Sequence, residues 1–205
     1  MSATTFTSKN TSAGQRLADW SVIVITIAAL LAGWLLMNSV ESRGVPFDAS
    51  GISAQTPQGW LKSSVQGNEV LYVSDPFSSG FGTTYIVQKI SGPIDIVNDA
   101  PVAQDATVDQ VVSLLTLQYG QSLNSFRVLE KKLVTVNGQE AYEISYVFVE
   151  SNPDLTHSEI PNIVRGLDYI FLKGDHAIVA TYRADEKSFD SDMGRFQRFL
   201  TGLKF

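Results

Sequence analysis

The chain has 205 residues, no cysteine and a formal net charge of −6. Without cysteine there is no disulfide framework, thiol nucleophile, thiolate metal site or covalently attached haem. From Gly44 onward 12 Lys and Arg stand against 19 Asp and Glu, with no basic block; such a surface repels nucleic acid and anionic head groups, so no nucleic-acid partner is expected.

The first feature in chain order is WSVIVITIAALLAGWLLMNSV, Trp20–Val40, uncharged and closed by Asp19 and Glu41. A bilayer core of about 30 Å needs roughly 20 apolar residues at about 1.5 Å each. A cleaved signal has a shorter apolar region and a small-residue cleavage site, and a soluble core helix shows a polar face. The segment therefore reads as a retained transmembrane anchor over residues 19–41. Lys9, Arg16 and the amino terminus precede it, so the positive-inside rule puts residues 1–18, a Ser/Thr-rich tail expected to be disordered, in the cytoplasm. The rest then lies on the extracytoplasmic side of the cell (inner) membrane. Ala28, Ala29, Ala32 and Gly33 offer a small-residue face for packing on partner helices.

Residues 42–50 read as a linker, and 51–205 as one domain with a core of its own. Ile52–Trp60 suggests a strand, a Pro/Gly turn and a large aromatic. Glu69–Pro76 and Thr83–Ile90 look like strands around the turn-rich FSSGFG, which carries Phe77 and Phe81. Ser91–Ala106 reads as a long connection. A helix is then expected, with Thr107 and Gln110 as a capping box and Val108, Val111, Val112, Leu115 and Tyr119 on one face. Asn137-Gly138 between two strand-like runs predicts a type I′ hairpin, with Tyr142, Ile144, Tyr146 and Phe148 on the buried face. After a polar loop, Glu150–Pro161, a hairpin forms around Gly174-Asp175. Phe189, Met193, Phe196, Leu200 and Leu203 mark a closing helix with acidic residues early. Strands and helices in this order predict an α+β domain with an antiparallel sheet.

P-x-G-W at Pro57–Trp60, Asp75-Pro76, V-N-G-x-x-A-Y at Val136–Tyr142, G-D-H-A-I-V-A-T-Y at Gly174–Tyr182 and a final L-K-F together resemble the PsbP-like superfamily. That superfamily includes the extrinsic PsbP protein of photosystem II, a Ran-binding eukaryotic relative and bacterial lipoprotein-type domains. The resemblance covers about Ile52–Phe205 and implies an antiparallel sheet sandwiched by α-helices, in docking and assembly modules rather than one enzyme class.

No catalytic constellation emerges. His157 and His176 read as an exposed loop residue and a turn-flanking residue. The acidic run at 184–192 lacks the glycine and terminal glutamate of a calcium loop, and reads as helix capping. Glu150, Asp154, Glu159 and His157 form a weaker metal candidate. Gly80-Phe81-Gly82 lacks the third glycine and the strand-to-helix setting of a dinucleotide site. No cofactor, metal site or enzymatic activity is expected. The expected function is that of an accessory or assembly subunit of a larger membrane complex, tethered in the bilayer and docking through loops; a photosynthetic or respiratory complex is compatible with the resemblance. Phe77 and Phe81, with Ala29 and Gly33 in the membrane, are the candidate partner-binding residues; Trp60 is read as a core plug. A ligand- or metal-binding sensor or carrier is the alternative, and a hydrolase ranks last.

Overall fold

The computed structural model describes residues 20, 22–34, 44–78, 81–91, 104–150, 161–174 and 176–205. They fall into two units, Met1–Arg43 and Gly44–Phe205. In the first, residues 22–34 form a helix, α1, whose side chains are all exposed. At about 1.5 Å per residue this stretch rises about 20 Å. Among the described residues no helix is long and apolar enough to cross a membrane; residues 19, 21 and 35–41 of the expected span lie outside them.

The second unit begins earlier than expected. Gly44–Ala49, read above as linker, is strand β1, paired antiparallel with β2 (Ile52–Pro57). Its sequence hides this, because Pro46 and Asp48 look like tether chemistry and only Phe47 is buried. Ser50 and Gly51 make the turn with φ of 56° and 78°. The remaining strands are β3 (Leu61–Lys62), β4 (Glu69–Ser74), β5 (Thr84–Ser91), β6 (Asn124–Val136), β7 (Gln139–Glu150), β8 (Asn162–Lys173) and β9 (His176–Asp185). They form one antiparallel sheet in the order β3-β4-β5-β9-β8-β7-β6. The β6–β7 hairpin turns at Asn137 and Gly138 with φ of 51° and 76°, the pair of positive angles a type I′ turn requires.

Two helices cover the two faces. Helix α3 (Phe189–Gly202) packs with β1 and β2 on one face, over Tyr85, Val87, Ile178, Ala180 and Tyr182. Phe196, fully buried, lies 5.0 Å from the Tyr182 ring and 5.1 Å from Tyr85. Lys204 bridges to Ser53 after the helix. Helix α2 (Gln104–Ser122) covers the other face, seating Val108, Val111, Val112, Leu115 and Tyr119 on Ile144, Tyr146, Phe148 and Ile170. These are the stripes the periodicity predicts. Helix α2 starts three residues before Thr107, however, so Thr107 is interior rather than a cap, and the helix runs through Gly120 to Ser122. The central strands β5, β9 and β8 are buried on both faces, one side chain after another; alternation is lost there because each face has its own core.

Register fixes what shares an end of the sheet. Gly44 lies opposite Pro57, whose carbonyl accepts the Trp60 N–H, and Leu61 lies opposite Ser74. Ser74 pairs with Thr84, and Thr84 with Arg183. The point where the chain enters the domain, the β4–β5 turn and the start of α3 thus gather at one end.

Candidate functional site

The β4–β5 turn is short, polar and closely tied. The Asp75 N–H donates to the Thr83 carbonyl (2.8 Å), and Asp75 Oδ1 accepts the Phe77 N–H (2.9 Å). Ser78 Oγ donates to the Asp75 carbonyl (3.0 Å) and accepts the Thr83 N–H (2.9 Å). Two further bonds fasten the turn to α3: Thr83 Oγ1 to Asp192 Oδ2 (2.9 Å) and Arg195 Nη1 to Asp75 Oδ2 (3.4 Å). On this braced turn Phe77 is 89% exposed. Leu61, opposite Ser74 on the neighbouring edge strand, is 58% exposed. A phenyl ring left in water beside residues held by these bonds can anchor a partner at a reduced cost of ordering the backbone beneath it.

The other aromatics named from sequence do not join it. Phe81 is half-buried, set edge-on to Phe148 at 5.9 Å on the α2 side of the sheet, so it closes the core. Trp60 packs 4.5 Å from Tyr85 as expected of a core plug. Ala29 and Gly33 lie exposed on α1, and a Cβ at Gly33 would meet nothing within 4 Å. His157, Asp154 and Glu159 lie outside the described residues. His176 pairs with Ser91 and Lys173 in the sheet. Among the described residues no three His, Cys, Asp or Glu gather to hold a metal.

A polar centre that sequence reading missed lies under α2. Tyr146, Gly166 and Arg183 form one row across β7, β8 and β9, and Ile144, Asp168 and Thr181 form another. Gly166 has no side chain, so the Tyr146 ring lies over it; a Cβ there would come within 2.2 Å of the ring. Tyr146 then donates its hydroxyl proton to Asp168 Oδ1 (3.3 Å) and accepts from Arg183 Nε (3.0 Å). The Arg183 guanidinium stacks 4.9 Å from the Tyr119 ring of α2. Burial pushes the Asp168 carboxyl up from 3.8 to about 6; Arg183 and the Thr181, Tyr119 and Tyr146 hydroxyls pull against it. Burial likewise raises the Tyr119 and Tyr146 phenols. Asp168 Oδ2, Thr181 Oγ1 and Tyr119 OH are buried without a hydrogen bond of good geometry. Asp168 is wholly sealed, so no substrate reaches it while α2 is in place. Its chemistry is that of a tie between sheet and helix. The signal in the sequence is one carboxylate in LDYIF, a run otherwise fit to be buried on both faces.

No family model and no curated protein matches the chain. Solved structures do. The cyanobacterial PsbP protein (CyanoP) of Synechocystis superposes with a TM-score of 0.51 at 14% identity, over 79% of this chain and 92% of that one. A Bacteroides thetaiotaomicron protein superposes with a TM-score of 0.50 at 12% identity over 79% of this chain; this chain spans about half of it, 48%. The Ran-binding protein Mog1p of Saccharomyces cerevisiae matches with a TM-score of 0.45 at 13% identity. The chain has the PsbP-like fold, as the sequence resemblance implies.

Proposed function

We propose that the chain is a non-catalytic accessory or assembly subunit of a larger membrane complex. In this reading the apolar segment at 20–40 anchors it in the membrane and the β4–β5 turn docks it on a protein partner. The observation that carries the reading is Phe77, almost wholly exposed on a turn held by bonds to Asp75, Ser78 and α3. The position of that turn adds support, because Gly44, where the chain enters the domain, lies at the same end of the sheet. A tether entering there holds the turn within a short radius of other membrane proteins and raises their effective concentration. The domain would then stand on the extracytoplasmic side, with Ala29 and Gly33 on the anchor available to neighbouring helices.

The test is mild-detergent extraction of the native protein, native sizing and identification of co-migrating chains, for wild type and Phe77→Ser. Burying one phenyl ring contributes about 2–3 kcal/mol, so the variant should dissociate at roughly 30- to 150-fold lower dilution. A wild-type protein that migrates alone refutes the subunit reading. An assembly that F77S leaves intact refutes the role of the turn.

A further inference from the structure

The sheet's other edge has a different character. Strand β6 pairs with β7 alone among the described elements, so one side of its backbone has no strand partner. Both of its register shifts fall before Glu130, and Glu130–Val136 runs in unbroken register against Gln139–Ser145. Beside this regular stretch α2 leaves an open groove of about 590 Å³, lined by Ser113, Leu117, Gln121 and Lys131 among others, and a second of about 210 Å³ reaching Leu133 and Tyr142. Lys131 borders both. Leu117 is 62% exposed and Leu133 55%.

Charge distinguishes this edge from the rest of the domain. Strand β6 carries Arg127, Lys131 and Lys132 against one acid, Glu130, in a domain with an acidic excess. Lys132 is neutralised by Glu143 at 2.8 Å, whereas Lys131 has no ion-pair partner among the described residues. Lys131 and Leu133 lie opposite Ile144 and Tyr142, residues of the face that α2 covers. An added strand would therefore turn every second side chain toward the groove.

We propose that β6 and the α2 groove bind an extended segment of a protein partner by strand addition. The segment would carry a carboxylate opposite Lys131, flanked two residues away on each side by apolar side chains that enter the groove beside Leu117 and Leu133. Main-chain bonds to Glu130–Val136 give the affinity and the groove gives the choice of side chains. This surface lies at the edge opposite β3 and β4, so the inference stands apart from the Phe77 turn.

The probe is the acetylated peptide Thr-Leu-Thr-Glu-Thr-Val-Thr-amide, titrated into the ¹⁵N-labelled full chain in detergent micelles. The expected result is saturable amide shifts over Glu130–Val136 and along Ser113–Gln121. Replacing the peptide's Glu by Lys should weaken binding at least fivefold, as should Lys131→Glu. Gly120→Leu should block the groove while the protein still folds, since a Cβ at Gly120 meets nothing within 4 Å. No saturable shift, or equal binding of the lysine peptide, overturns the proposal and leaves the lysines as guards against edge-to-edge aggregation. Shifts over β6 that depend on protein concentration without peptide, with a dimer in sedimentation, also overturn it, because a second copy then fills the edge.

Discussion

Asp168→Asn isolates the cost of sealing a carboxylate under α2. An aspartate at about 6 in the folded protein, against an ordinary 3.8, holds its proton more tightly folded than unfolded. Such a group adds most to stability below about pH 4, and its contribution falls as pH rises through 6. The difference corresponds to about 3 kcal/mol across that window, at about 1.4 kcal/mol per tenfold. Other carboxylates contribute slopes of either sign, so the informative quantity is the wild-type stability minus that of D168N at each pH. Urea melts followed by near-UV circular dichroism should give a difference that falls by about 2.5 kcal/mol between pH 4 and 7.5. Lost hydrogen bonds to Asn shift that difference by a constant and leave its slope alone. Parallel profiles for the two proteins would refute the reasoning, and would mean that Arg183 and the surrounding hydroxyls fully offset the burial.

Three further perturbations test the packing. Gly166→Ala drives a methyl into the Tyr146 ring and should cost about 3 kcal/mol; adding Tyr146→Leu should make the pair less than additive in the same melts. Phe196→Ala empties the aromatic centre under α3 and should cost about 3–5 kcal/mol, read as a lowered urea midpoint. Gly138→Ala forces a side chain onto a φ of 76° and should cost about 1 kcal/mol, with a fall of a few degrees in Tm and no change in the pH slope assigned to Asp168.

Local signals survived the passage from sequence to fold. Asn137-Gly138 announced its turn because the conformation it needs is set by those two residues. The apolar stripes of α2 and α3 were legible because one helix face meets one sheet face. Strand β1 was not, since pairing with β2 is a tertiary choice that Pro46 and Asp48 do not advertise. The start of α2 was misplaced for a related reason: Thr107 satisfies a capping pattern, yet the helix continues on its amino-terminal side. The Asp168 centre left only the one carboxylate in LDYIF as a signal, because its members come from β7, β8, β9 and α2 and a lone aspartate in a strand ordinarily points to water. Phe77 and Phe81 show the limit most directly. Four residues apart in one turn, they look equivalent in sequence, but only one has the Phe148 ring to pack against.

The sheet order also sets a sequence of events in time. Strands β6, β7, β8 and β9 follow one another in the chain and in the sheet, so this meander can assemble as it is synthesised. Strand β5 must wait, because its neighbour is β9, nearly a hundred residues later: Thr84 meets Arg183 and Ser91 meets His176. Ser53 waits longer still, for Lys204. During synthesis, β4 and β5 present an unpaired apolar edge, with Tyr85, Ile86 and Val87 all destined for burial. The hazard of misassociation therefore concentrates in the first half of the domain, and it ends when β9 arrives and α3 closes over it.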